Sequence, residues 1–188
     1  MNENGARRVA LPLLLGCLTL SAAAGAAGPI LVIGDNGVGG ITRDTPFDPK
    51  AISQALPGLA VERAEATAEG IAYPVIRVLR DKHELLVLAP DLEQRHVGSL
   101  MSASPEVASS QGVTVGASFQ QIYERQTPSA CEAGVEEWSG MVFCPAPASN
   151  NVQLLFKGQW SGPDGNLPPP EVLRTWTVAQ IWWLPPEE

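Results

Sequence analysis

Cysteine and histidine are scarce in this chain of 188 residues: three cysteines and two histidines. A multi-cysteine disulfide scaffold is thereby excluded, and His83 and His96, far apart and without cysteine partners at metal-ligand spacing, make no zinc site. Positive charge is also short, with 12 Lys and Arg against 20 Asp and Glu for a formal charge of −8, and no basic cluster occurs. Nucleic acid and anionic lipid surfaces are disfavoured as partners on that ground. Long apolar runs are missing except at the start, and no linker or charged low-complexity tract divides the rest.

What is present begins with the leader. Residues 1–8 carry Arg7 and Arg8, an apolar segment runs from Val9 with Cys17 inside it, and small residues follow up to Gly28. That order describes a bacterial export signal over residues 1–27. Two processing readings stand side by side. Leu14-Leu15-Gly16-Cys17 has the form of a lipobox, which would make Cys17 the lipidated first residue, whereas Ala24-Gly25-Ala26 has the small-x-small form of an ordinary cleavage site. Against lipidation, the residues after Cys17 stay apolar where a polar tether is expected. An uncleaved anchor over Val9 to Ala27 barely reaches the ~20 residues a spanning helix needs and contains Pro12. The arginine pair lacks the surroundings of a twin-arginine signal and reads as the positive start of a general one.

Without its leader the chain keeps roughly 160 residues, 28–188, the size of one domain with an adequate core. Loss of Arg7, Arg8 and Glu3 takes the formal charge from −8 to about −9. Cys131 and Cys144 then form the remaining pair, and in an oxidising compartment they are expected to close a disulfide. In the chain-entropy account that loop contributes about 3 kcal/mol. A redox-active pair would instead use two intervening residues beside a helix start.

The mature segment reads as strands punctuated by turns. Pro29-Ile30-Leu31-Val32-Ile33 predicts a buried strand, followed by the turn Gly34 to Gly40. Phe47-Asp48-Pro49 predicts a helix start, with Asp48 as N-cap, Pro49 in the first turn and Phe47 stapled to Ile52, and Pro57-Gly58 predicts its end. Strands follow at 59–65, 73–79, 84–88 and 95–102, with a hairpin turn at Arg80-Asp81-Lys82-His83. Ser118-Phe119-Gln120-Gln121 has the form of a capping box. Further strands at 141–143, 152–157 and 175–184 enclose a turn at Gly162 to Asn166 and a short helix at 171–174. The seventeen prolines and eighteen glycines fit so many turns. The fold class expected is α+β, a single domain built on a largely antiparallel β-sheet with two or three short helices.

Chemistry-bearing patterns are sparse. The loop Gly34 to Gly40 follows a strand, but phosphate binding needs a helix opening at once, and Thr45-Pro46 intervenes. Gly112-Val113-Thr114-Val115-Gly116 has nucleophile-elbow spacing with threonine in place of serine, yet the helix signal begins at Ser118 and no base is brought near. Paired acids, Glu62 with Glu65 and Glu136 with Glu137, together with Asp164, admit a small envelope hydrolase as the alternative reading, because carboxylate pairs can act as acid and base. Calcium would need more oxygen ligands than Asp164 and Asn166 supply. No catalytic residues, metal or cofactor are assigned. All five tryptophans lie in the last third, and adjacent Trp182 and Trp183 face opposite sides of a strand, so an outward ring there is a candidate surface for a ligand or partner.

The motifs Asn36-Gly37-Val38-Gly39-Gly40 with Thr45-Pro46-Phe47, Leu56-Pro57-Gly58, Tyr73-Pro74-Val75-Ile76-Arg77-Val78, Cys131 to Cys144 around Glu136-Glu137-Trp138-Ser139-Gly140, and Gly162-Pro163-Asp164-Gly165 with Leu173 and Trp176 occur in this order. The chain thereby resembles the YfeY-like, sigma-E-regulated envelope lipoproteins, a family without an assigned biochemical activity. The resemblance implies a lipid-anchored envelope protein and favours Cys17 as the lipidated residue. With the charge balance and the sparse chemistry, the expectation is a non-catalytic binding or stress-related component of the periplasm, held at the outer membrane where Cys17 is lipidated, that meets an envelope protein or ligand, binds no nucleic acid and touches the membrane only through a lipid anchor. It supplies no catalytic residues.

Overall fold

The computed structural model describes Met1 and residues 28–124, 130–163 and 165–186. Among these described residues, two sheets and three short helices form one α+β unit. The smaller sheet has the order β2-β1-β7. Strand β1 (Leu31–Gly34) turns at Asp35-Asn36 into the antiparallel β2 (Gly37–Val38) and runs parallel to β7 (Val107–Ser109). The return demands glycine at position 37: its φ is +117°, and a Cβ there would sit 2.0 Å from the Ile41 carbonyl oxygen. Only Ile33 of β1 is fully buried, and Val32 is 47% exposed. The expectation of a fully buried strand is corrected, because this small sheet turns one face to water.

Helix α1 (Pro49–Ala55) begins as its sequence dictates, with the Asp48 carboxylate accepting from the Lys50 and Ala51 amides at 2.9 and 3.3 Å. Phe47 and Ile52 both join the core. The larger, wholly antiparallel sheet has the order β3-β4-β5-β6-β11-β10-β9-β8. Its first four strands, β3 (Ala60–Ala68), β4 (Ile71–Arg80), β5 (His83–Pro90) and β6 (Val97–Ser102), form a meander. The β4–β5 turn places Asp81 and Lys82 at φ 49° and 69°, the pattern of a two-residue type I′ hairpin. The other four are β8 (Glu132–Ala133), β9 (Met141–Pro145), β10 (Val152–Lys157) and β11 (Thr177–Trp183).

Helix α2 (Phe119–Tyr123) carries the full capping box: the Ser118 hydroxyl accepts from the Gln121 amide at 3.3 Å, and Gln121 Oε1 accepts from the Ser118 amide at 2.8 Å. Phe119 and Tyr123 stack against Phe156 of β10, with ring centroids 5.0 and 5.9 Å away. The Tyr123 hydroxyl donates to the Pro145 carbonyl at 2.7 Å, and burial pushes its phenol above the ordinary range. Helix α3 (Pro170–Leu173) starts on Pro169-Pro170 and delivers Leu173 and Trp176 to the core. Among the described residues, no helix is long and apolar enough to cross a membrane.

Candidate functional site

The two adjacent tryptophans of β11 part as strand geometry requires. Trp183 lies between Val152 and Leu100 of the flanking strands, is 1% exposed, and donates its Nε1 proton to the Asp35 carbonyl at 2.9 Å. The surface role expected of it is therefore corrected: it is core, tied to the β1–β2 turn. Trp182 points to the other face, opposite Gln153 and Met101, and is half-buried. Its Nε1 donates to Gln180 Oε1 at 2.8 Å. Trp138 meets it edge-on at 5.4 Å and 88°, Phe143 at 6.2 Å and 71°, and those two rings lie 6.0 Å apart. Such edge-to-face contacts suit aromatic quadrupoles. Leu155, directly opposite Phe143, is fully buried on this face, outside the main core.

The disulfide builds the platform for that cluster. β8 pairs with β9 through Glu132↔Phe143 and Ala133↔Val142, so Cys131 and Cys144 are the next opposed pair. They are bonded with Cα atoms 4.2 Å apart. The chain then passes through a 3₁₀ turn, Glu136–Trp138, which swings the Trp138 ring over Phe143 and Trp182.

The glycine loop forms an internal junction. The Asp35 carboxylate accepts from the Ser149 hydroxyl and from the Asn150 and Asn151 amides, the latter two at 3.0 and 3.2 Å. Its backbone carbonyl accepts from Asn151 Nδ2 at 2.9 Å as well as from Trp183. The Ser149 hydroxyl, followed by the Asn151 amide, holds the Asp35 carboxyl below its ordinary value. The Gly112 to Gly116 turn is equally structural: Ser109 Oγ accepts from the Gln111 and Val113 amides at 3.3 and 3.2 Å, and Thr114 bridges Ala108. His83 opens β5, whereas His96 precedes β6 beside the other end of β5, so the strand's length separates them. His96 Nδ1 lies 3.2 Å from Asp91 Oδ2, within the loop that Asp91 closes by accepting from the Arg95 amide at 2.8 Å.

Among the acids, Glu62 and Glu65 project from opposite faces of β3, facing Arg77 and Pro74 respectively, and therefore do not converge. Glu136 meets Glu69 of the β3–β4 turn, whose hydrogen bond and charge push the Glu136 carboxyl above the usual range. That contact was invisible in the sequence, since Glu69 and Glu136 stand at opposite ends of the strand order. Both are exposed. Among the described residues, no group of three His, Cys, Asp or Glu could hold a metal. A cavity of about 270 Å³ opens between Trp160, Trp176, Gly134, Gly140, Pro163 and Asn166. Trp176 is 2% exposed with its Nε1 donor unpaired, packed so closely on Gly158 that a Cβ there would lie 2.1 Å from the ring. Cys17 and Asp164 fall outside the described residues.

The sequence model of one family, described as "Protein of unknown function (DUF1131)", matches residues 25–185. The chain belongs to the DUF1131 family. It is 27% identical over 183 residues to the uncharacterized protein YfeY of Escherichia coli strain K12, covering 93% of this chain and 94% of that one. The crystal structure of that protein superposes with a TM-score of 0.67 at 25% identity, over 81% of this chain and 99% of the other. The YfeY-like resemblance carried by the short motifs is thus borne out along nearly the whole DUF1131 segment.

Proposed function

We propose that this DUF1131 member is an exported envelope protein, a periplasmic domain over 28–188 anchored at the outer membrane by lipid on Cys17, and that it works as a non-catalytic binding component. The observation that carries the reading is the Cys131–Cys144 disulfide. Such a bond is compatible with an oxidising compartment, and it leaves Cys17, beside Gly16 in a lipobox-like context, as the one cysteine outside the pair. Leu18 rather than aspartate after Cys17 favours release to the outer membrane.

The partner surface is centred on Trp182, where Trp138 and Phe143 extend a half-buried aromatic face. Aromatic rings of this kind supply rigid contact area at low entropic cost. For the hydrolase reading, the described residues bring Glu136 to Glu69, and both carboxyls stand on exposed turns. Capture from envelope extracts with the full chain and with Trp182→Ala tests the binding reading. A ligand or protein retained by the first and lost at least about tenfold by the second is expected. Equal retention by both, or none by either, contradicts it.

A further inference from the structure

Strand β3 closes one end of the eight-stranded sheet and, among the described residues, pairs only with β4. Nine residues long, it leaves a row of backbone groups on its outer edge, a feature that proteins ordinarily blunt with charge, proline or a bulge. Here the nine residues, Ala60 to Ala68, pair with β4 without a register shift and contain no proline. Their side chains are mostly small, so a second backbone can approach. Their three charges, Glu62, Arg63 and Glu65, differ in sign. Beside the distal half of the strand, β4 presents Ile71 at 70% and Tyr73 at 37% exposure.

We propose that β3 is a self-pairing edge: two copies of this chain join antiparallel about a two-fold axis through Ala64, fusing their sheets. In that register Ala60 opposes the partner copy's Ala68, so the whole strand is used. Arg63 opposes the partner copy's Glu65, and Glu65 opposes its Arg63, giving two opposite-charge cross-strand pairs. Within one copy Arg63 meets Asp48, 3.4 Å away on exposed surface, the kind of ion pair that holds a side chain weakly. Glu62 opposes an alanine, Ala66. Cross-strand rows also continue: Val75 of β4 lies opposite Ala64, so the axis is flanked by the row Val75, Ala64, Ala64, Val75 across the two copies.

Charge selects this register over its neighbours. Symmetric pairing must keep odd residues facing odd ones if the core-facing sides of the two sheets are to remain on one side, since Val61 faces Val78 of the core. Centring on residue 62 or 65 sets glutamate against glutamate, and centring on 63 sets arginine against arginine. Only the Ala64 axis satisfies every charge of the strand or leaves it opposite a neutral residue while keeping all nine residues paired. A C2 interface of this kind is self-complementary by construction.

Two measurements on the full chain test it. Ala64→Cys places two thiols on the axis at the ~4.5–5.5 Å Cα separation of opposed antiparallel residues, inside the range a disulfide spans. Oxidation is expected to give a covalent dimer, whereas Ala66→Cys, whose two copies would sit about 13 Å apart along the strands, gives none. Arg63→Glu and Glu65→Arg should each weaken dimerisation about tenfold in sedimentation, because each sets like charges opposite one another. An equimolar mixture of the two should restore it: in the mixed dimer one copy is acidic at both positions and the other basic at both, so both cross-strand pairs are again of opposite sign. Thermal melts of each variant distinguish loss of pairing from loss of fold. Monomeric Ala64→Cys after oxidation, equal cross-linking at position 66, or failure of the mixture to recover would overturn the proposal.

Discussion

Trp183→Ala is expected to cost about 3–5 kcal/mol in chemical denaturation. The ring is 1% exposed in β11, with Val152 of β10 on one side and Leu100 of β6 on the other. Its removal leaves a void that close-packed neighbours fill only in part. The hydrogen bond it gives to the Asp35 carbonyl adds less, because that carbonyl still accepts from Asn151. Trp182→Ala, one residue away, should cost only about 1 kcal/mol, since that ring is half-buried and water already reaches the site. Equal losses for the two variants, or the reverse order, would show that the facing of β11 is misassigned.

Reduction of Cys131–Cys144 should lower stability by about 3 kcal/mol, mainly by releasing the unfolded chain from a closed loop. The loss should also be local in character. β8 has only two residues and sits at the far end of the large sheet, so the disulfide is its principal tie to β9. Freed of it, the 3₁₀ turn carrying Trp138 should detach, and the contact with Trp182 with it, visible as a change in tryptophan emission ahead of global unfolding. Cys131→Ala combined with Cys144→Ala separates this from any effect of the reductant. Thiol counting should find none in the unfolded oxidised domain, 28–188, and two after reduction. Two thiols before reduction, or identical denaturation midpoints with and without reductant, would contradict the prediction.

Much of this architecture was legible where the deciding chemistry is local. Asp48-Pro49 and Ser118 with Gln121 name their helix starts because a cap needs only three neighbouring residues. Arg80 to His83 names its hairpin although neither central residue is glycine. The opposed facing of Trp182 and Trp183 follows from the two-residue period of a strand. The parallel pairing of β1 with β7 was not legible, because parallel strands require a long crossover and leave no turn signature between Leu31 and Val107. Nor was the role of Asp35, whose partners Ser149 to Asn151 lie more than a hundred residues away. Its place in a glycine-rich turn announces a tight return and names no partner, and the fold uses it to bind its own β9–β10 turn.

The aromatic face shows the same division. Composition gathers the tryptophans into the last third of the chain, yet only the β8–β9 register, pinned by the disulfide, brings Trp138 back over Trp182. Local rules set one of the two adjacent rings outward, and the sheet decides that it is Trp182. Which rings it meets is a property of the whole sheet.

The account turns on the state of Cys17, and the mass of the N-terminal peptide of the protein made in a bacterial cell tests it most directly. A chain that begins at Cys17 and carries lipid on its sulfur is the result predicted. A free chain beginning near Ala27, or an unprocessed chain still beginning at Met1, would contradict it.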